Sequence, residues 1–109
     1  MTNFNDYQVN AAQTAIYPRQ FAIMYPALGL AAEAGEVANK VKKIYRDKNG
    51  RLDDSDREAI GAEIGDVLWY CACLCTDLDL TLESQAGANL AKLNSRLARG
   101  VLGGSGDNR

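Results

Sequence analysis

Two pairs of acidic residues interrupt runs of small and apolar residues, and they limit the possible folds more than any other feature. Glu33 and Glu36 lie three residues apart, and Glu63 and Asp66 repeat that spacing further along the chain. Residues three apart share one face of an α-helix. The pattern therefore predicts two helices, each with a pair of carboxylates at the border of its apolar face.

These acidic pairs have two interpretations. Four carboxylates on neighbouring helices offer the oxygen ligands that Mg²⁺ prefers, whereas acids at this spacing are also common as ordinary surface charge. Gly35 and Gly65 lie inside the two pairs. Because glycine weakens a helix by about 1 kcal/mol relative to alanine, we expect another helix or a ligand to approach closely there. The residues alone leave both interpretations open.

Hydrophobic residues recur with helical periodicity along most of the chain, which predicts an all-α protein with four helices and no strands. Residues 19–25 are ambiguous, and the glycine-rich tail at about 101–109 is expected to be flexible. The expected helices cover residues 5–15 before Pro18, 26–45, a third that begins with a capping box of Ser55 and Glu58, and 82–99 with Thr81 as its cap and Gly100 after its end.

Composition narrows the class of protein. A chain of 109 residues fits one domain, and a net charge of −2 argues against a nucleic-acid polymer as partner. No uncharged apolar run is long enough for a membrane span, so we expect no membrane partner and a cytoplasmic location. Cys71, Cys73 and Cys75 are crowded in an apolar segment of a chain without histidine, so core packing is favoured over a disulfide or zinc site.

Three residues near the acidic pairs have both a structural and a functional interpretation. Lys40, one turn beyond Glu36, either forms an ion pair with that glutamate or contacts a phosphate. Tyr70 follows Asp66 by one helical turn and is either an aromatic residue at the edge of the core or a wall against a sugar or base. Trp69 is expected to point elsewhere, towards packing or a subunit contact.

The spacing of the acids resembles the signature of the MazG-like all-α nucleoside triphosphate pyrophosphohydrolases. The signature is Glu33-x-x-Glu36, then 26 residues, then Glu63-x-x-Asp66. The likeness extends across nearly the whole chain, so residues 1–109 are interpreted as one MazG-like domain. It includes Thr14-Ala-Ile-Tyr-Pro18, Tyr25-Pro-Ala-Leu-Gly-Leu30, Glu63-Ile-Gly-Asp-Val-Leu-Trp-Tyr70, Asn89-Leu-Ala-Lys-Leu93 with Arg96, and Gly104-Ser-Gly-Asp-Asn-Arg109.

The resemblance implies a fold, a cofactor and a reaction. The fold is a four-helix bundle completed by dimerisation, as a homodimer or homotetramer. The cofactor is Mg²⁺, with Mn²⁺ as a possible substitute, held by Glu33, Glu36, Glu63 and Asp66. The reaction is hydrolysis of a ribo- or deoxyribonucleoside triphosphate between the α- and β-phosphates, for nucleotide-pool house-cleaning. Either Glu33 or Glu36 would accept the proton of the attacking water.

The same resemblance implies contacts to the substrate. The residues that would bind it are Lys40, Tyr70, Asn89 and Lys92, with Arg96 as a weaker candidate. The alternative for Asn89, Lys92 and Arg96 is that they form the polar face of the fourth helix. Gln8 and Tyr17 would border the base, and the tail at 104–109 would fold over the triphosphate.

Two other functions compete with this interpretation. A carboxylate-bridged di-iron protein also builds its site in a helical bundle, but such sites use Glu-x-x-His, and the chain has no histidine. A non-catalytic helical dimerisation or regulatory module would carry the acids as surface charge. Such a module would need no Mg²⁺, so metal dependence separates it from the enzyme.

Overall fold

The computed structural model describes residues 2–109 and confirms the all-α prediction: this part of the chain contains four α-helices and no strand. A short 3-10 helix, Arg19–Phe21, occupies part of the stretch that the sequence left ambiguous. The α-helices are α1 at Phe4–Gln13, α2 at Met24–Lys48, α3 at Asp54–Asp77 and α4 at Leu82–Ala98.

Side chains cap three of the four helices. Asn3 accepts a hydrogen bond at the start of α1, and Thr81 does so at the start of α4, where the sequence predicted it. The predicted capping box of Ser55 and Glu58 is wrong, because Asp53 and Asp56 form the box instead. Aspartate caps a helix as well as serine does, and Lys48 bridges both carboxylates at 3.1 and 2.9 Å, which offsets their charge.

The helix α2 is longer than predicted at both ends. It begins at Met24, so Pro26 still lies in the first turn. Backbone N–H groups there have no partner within the helix, so the missing N–H of proline costs no helical hydrogen bond. Its last residue is Lys48, and Asn49 then adopts the left-handed conformation with φ of 55°. Asparagine tolerates that conformation better than most residues, which explains why the helix ends at this point.

The helices α2 and α3 form an antiparallel pair, which is the main packing contact of the chain. A short connection at 49–53 joins them, and the contacts run in opposite directions along the two helices. Near the connection, Lys48 forms an ion pair with Asp56. Further from the connection, Lys40 forms an ion pair with Glu63. Further still, the ring of Tyr70 lies against α2. This arrangement brings the two predicted acidic pairs to the same height along α2 and α3.

Asp77, the last residue of α3, anchors the segment that leads into α2. Its side chain is only 2% exposed and accepts hydrogen bonds from the Tyr17 hydroxyl at 2.7 Å, the Ile23 N–H at 2.9 Å and Arg19 at 3.0 Å. The bond to Ile23 holds a β-branched residue at a φ of 69°, which is costly for such a side chain. The carboxylate therefore fixes a strained entry into α2.

Polar side chains also hold the start of α4 and the tail. The amide of Gln8 donates to the Leu80 carbonyl at 2.9 Å and accepts from the Leu82 N–H at 2.7 Å. At the other end of α4, the buried Arg96 donates to the Asp107 carbonyl at 2.9 Å. The guanidinium of Arg109 donates to the carbonyl groups of Val101, Leu102, Gly103 and Gly106.

One copy of the chain is not compact. Its accessible surface is 7641 Å², whereas a compact monomer of 11.8 kDa exposes about 5,900 Å². Its radius of gyration is 16.8 Å, against about 13 Å for a compact domain of this length. Three leucines of α4 repeat at spacings of three and four residues, Leu90, Leu93 and Leu97, and they face solvent, with Leu90 60% and Leu97 64% exposed.

By length and composition, α3 qualifies as a candidate membrane span, with a mean hydropathy of 1.3 over its best window. Only 11% of that window is buried within the chain, yet α3 contacts α1, α2 and α4. The helix is therefore both the centre of the fold and partly uncovered by it.

The contacts of Asp77 predict how acid destabilises the protein. Burial alone would raise the pKa of this carboxyl, but the hydrogen bonds from Ile23, Tyr17 and Arg19 outweigh it and lower the pKa. Its contribution is therefore complete above about pH 4 and is lost as the pH falls through the lower folded-state value. We expect Asp77→Asn to reduce the free energy of unfolding at pH 7 by about 1.5–3 kcal/mol and to flatten its dependence on pH below about 4.

Denaturant unfolding of both proteins between pH 7 and pH 2 measures this effect. An equal loss of stability on acidification in the wild type and in Asp77→Asn would contradict the role given to this carboxylate.

Candidate functional site

Three of the four predicted acids meet where α2 and α3 pack together. One carboxylate oxygen each from Glu33, Glu63 and Asp66 lies within 4.8 Å of the others. Glu33 and Glu63 are half-buried, whereas Asp66 is exposed. The group is therefore held by two helices and is open to solvent on one side.

The neighbouring carboxylates and burial alter the pKa of Glu33. The pKa of Glu33 is raised, first by a hydrogen bond shared with Glu63, then by burial and by the negative charges of Asp66 and Glu36. A bound divalent cation would relieve that repulsion. Because all the donors are carboxylate oxygens, the group suits a hard cation such as Mg²⁺. The residues present therefore fit the metal that the sequence predicted.

Glu36 lies one turn further along α2, outside the group of three. Its side chain is exposed, although it is near enough to raise the pKa of Glu33. The ion pair considered between Lys40 and Glu36 is wrong, because the Lys40 amine lies 3.6 Å from the carboxylate of Glu63. The packing of α3 against α2 offers Lys40 an acid on the neighbouring helix, so a cation stands beside the acidic group.

Aromatic residues continue the site away from the carboxylates. Tyr70 and Trp69 line a cleft of about 370 Å³ together with Glu33, Asp66 and Thr14. The prediction that Trp69 points elsewhere is wrong, because this residue lines the cleft. The predicted packing role is also present, since its indole N–H donates to the Thr14 hydroxyl at 2.8 Å. Asp66 and Trp69 are three residues apart, which places both on one helix face, and that spacing was the signal for finding Trp69.

The close approach expected at Gly35 and Gly65 is not made by the chain itself. A Cβ atom built at either position meets no other atom within 4 Å. The crowded glycine near this cleft is Gly29, where a Cβ atom would overlap the ring of Tyr70. The tight contact therefore lies at the aromatic end of the cleft, one helical turn before Glu33.

The other predicted substrate contacts do not line this cleft within one chain. Asn89 and Lys92 are exposed on α4, and Arg96 is buried beneath the tail. Gln8 uses its amide to hold the start of α4, and Tyr17 is buried with its hydroxyl on Asp77. Arg96, Gln8 and Tyr17 therefore have structural contacts, and a role of any of these five residues towards substrate remains a prediction.

The three cysteines are free thiols, as predicted, and lie in the carboxyl-terminal half of α3. Cys73 is fully buried, and burial raises the pKa of its thiol to about 11. A thiol in that state is protonated at neutral pH and is neither a nucleophile nor a good metal ligand. Cys73 therefore belongs to the core, whereas Cys71 and Cys75 are half-buried.

The fold and the site together define a class: all-helical proteins in which two antiparallel helices present an acidic group beside an aromatic cleft. A family model, the MazG nucleotide pyrophosphohydrolase domain, matches residues 26–100. This range contains all four acids, and the chain belongs to that family. Members of the family act on nucleoside triphosphates and generally depend on divalent metal.

Two individual relatives are similar to the chain in sequence, and their names state no activity. The chain is 50% identical over 109 residues to the Gene 37 protein of Mycobacterium phage L5, covering 94% of this chain and 96% of the relative. It is 36% identical over 67 residues to the uncharacterized protein YpjD of Bacillus subtilis (strain 168), covering 62% of this chain and 60% of that protein. No solved structure matches the chain.

The acidic group predicts a specific response to metal. Mg²⁺ that binds the folded protein stabilises it by mass action, by about 2.7 kcal/mol at a hundred times the dissociation constant. We therefore expect the melting temperature to rise by several degrees as millimolar Mg²⁺ is added. Replacing Glu63 by glutamine should abolish this increase.

Differential scanning fluorimetry with and without Mg²⁺ measures the response. Glu58→Gln is a matched control, because it makes the same change on the same helix outside the acidic group. An equal Mg²⁺ response in Glu63→Gln and Glu58→Gln would show that the metal acts elsewhere.

Proposed function

We propose that this protein is a Mg²⁺-dependent nucleoside triphosphate pyrophosphohydrolase, which releases a nucleoside monophosphate and pyrophosphate. The observation that carries the proposal is the convergence of Glu33, Glu63 and Asp66 within 4.8 Å beside an aromatic cleft. An acidic surface alone would repel a triphosphate. An acidic group that holds a divalent cation attracts one, and the neighbouring aromatic rings suit a base.

Each residue has a proposed role. Glu33, Glu63 and Asp66 hold the metal, with Glu36 as a further ligand from the next turn of α2. Either Glu33 or Glu36 accepts the proton of the attacking water. The bound metal supplies neutralisation of phosphate charge and a lower pKa for that water. Lys40, 3.6 Å from Glu63, contacts the phosphates, and Tyr70 contacts the sugar or base.

The bond that is broken joins the α- and β-phosphates. Phosphoryl transfer depends mostly on positioning and on stabilisation of charge, and the chain provides both with side chains from α2 and α3. Nucleotide-pool house-cleaning in the cytoplasm is the biological role that fits such a reaction, with Mn²⁺ as a substitute metal. Neither a nucleic-acid polymer nor a membrane is part of this proposal.

The reaction is tested by incubating the protein with a panel of ribo- and deoxyribonucleoside triphosphates, with and without Mg²⁺. We expect pyrophosphate and monophosphate, without orthophosphate, and only when metal is present. Glu63→Gln should lower turnover at least about 100-fold, as loss of a major charge-stabilising group does, while Glu58→Gln should not. Orthophosphate as the first product, or turnover without metal, would contradict the proposal.

A second copy of the chain completes the fold in this proposal, as a homodimer or homotetramer. One copy exposes more surface than a compact monomer of the same mass. The excess area is within the range that each partner buries in a permanent dimer. The exposed leucines of α4, Leu90, Leu93 and Leu97, supply an apolar stripe for that contact. Asn89 and Lys92 lie on the same helix but off this stripe, about 100° and 200° around it from Leu90.

Light scattering after gel filtration measures the assembly. We expect a mass of two or four times 11.8 kDa, and Leu90→Asp should reduce it because a buried unpaired charge is costly. Ala91→Asp adds the same charge about 100° around the helix and should leave the mass unchanged. A wild-type mass equal to one chain would contradict assembly.

A further inference from the structure

The position of Tyr70 depends on a glycine of the facing helix. Gly29 lies within α2, and a Cβ atom there would overlap the Tyr70 ring. Its φ is not in the left-handed region, so the backbone conformation does not require glycine at this position. Glycine inside a helix costs about 1 kcal/mol relative to alanine. The space that it leaves for the ring explains its presence.

Further aromatic contacts surround the same ring. Tyr25 lies 6.3 Å from Tyr70 between ring centroids, and the Trp69 ring meets Tyr70 edge-on at 5.0 Å. Tyr25 in turn stacks on Tyr17 at 4.7 Å, and the Tyr17 hydroxyl is bound by Asp77. Tyr70 is thus held between the surface of α2 and a row of rings that ends at a buried carboxylate.

The cleft has two chemically different ends. Glu33 and Asp66 provide charge at one end, whereas Tyr70 and Trp69 provide aromatic surface at the other. A ligand that uses both ends carries anionic groups, which reach the acids together with a cation, and a flat aromatic group that stacks. A nucleoside triphosphate has both parts, and stacking of a base on an aromatic side chain does not require one particular base.

We infer that Gly29 is a positioning residue for base binding: it admits the Tyr70 ring against α2 and so builds the aromatic wall on which the nucleobase stacks. This inference rests on the proposed function. The base is bound by this wall before and during the reaction alike. Loss of such uniform binding raises KM and leaves kcat unchanged. The inference therefore separates Gly29 from the acids, whose loss reduces kcat.

The test compares Gly29→Ala with Gly61→Ala. Both exchange a helical glycine for alanine, but a Cβ atom at Gly61 meets nothing within 4 Å. For Gly29→Ala we expect KM for the nucleotide to rise roughly ten-fold, a size typical of one lost base–aromatic stack, with kcat little changed. Gly61→Ala should match the wild type in both constants.

A second readout does not depend on turnover. Trp69 is the single tryptophan of the sequence and lines the cleft, so its fluorescence reports occupancy. The probe is a nucleoside triphosphate with a methylene bridge between the α- and β-phosphates, titrated in the presence of Mg²⁺. We expect a saturable change in the wild type and in Gly61→Ala, and a midpoint roughly ten-fold higher in Gly29→Ala.

A double variant tests whether Gly29 acts through Tyr70. In a Tyr70→Ala background the ring is gone, so adding Gly29→Ala should change neither KM nor the fluorescence midpoint. Such non-additivity is expected only for residues that act through a shared contact. Tyr70→Ala also removes the overlap, so the double variant has no steric reason to misfold.

The outcomes are distinguishable from failure of the proposed reaction. If the wild type releases no pyrophosphate but the fluorescence midpoints shift as expected, the reaction is wrong and the inference stands. The inference is overturned if Gly29→Ala behaves like Gly61→Ala, if it lowers kcat and leaves KM unchanged, or if no nucleotide changes the fluorescence of the wild type.

Discussion

The antiparallel packing of α2 against α3 is the contact on which the rest of the structure depends. It brings acids from two distant parts of the sequence within 4.8 Å of one another although their charges repel, and a hydrogen bond with Glu63, burial and the neighbouring charges together raise the pKa of Glu33. The apolar contacts between the helices and the salt bridges of Lys48 at their connection hold this arrangement. A folded protein that maintains such repulsion has a ready site for a cation.

The same pair of helices explains why the chain leaves so much apolar surface uncovered. Both helices use one side for each other, and α4 covers only part of what remains, so its leucines and several residues of α3 face solvent. The buried hydrogen bonds of Asp77 stabilise the connection between α1 and α2 and fix the aromatic residues beside the cleft. The site thus has a charged end and an aromatic end. The packing of α2 against α3 holds the first, and the hydrogen bonds of Asp77 hold the second.

Much of the fold follows from the sequence, because helical periodicity, Pro26 and Thr81 each act locally. The four acids were also found by spacing alone, although only three of them converge. What could not be predicted depends on neighbours in space: the partner of Lys40 is on the facing helix, and the crowding at Gly29 comes from a ring 41 positions later in the chain. The capping box was misplaced because Asp53 and Ser55 are both good caps, and the pairing with Lys48 distinguishes them only in three dimensions.

The central claim is that the acidic group holds the metal that acts on a nucleotide in the adjoining cleft. The most direct measurement is a crystal structure of the protein with Mn²⁺ and an uncleavable nucleoside triphosphate, using anomalous diffraction from the metal. We expect a peak bounded by Glu33, Glu63 and Asp66, with the phosphates beside it and the base against Tyr70. Metal bound at another place, or a nucleotide bound away from these carboxylates, would contradict it.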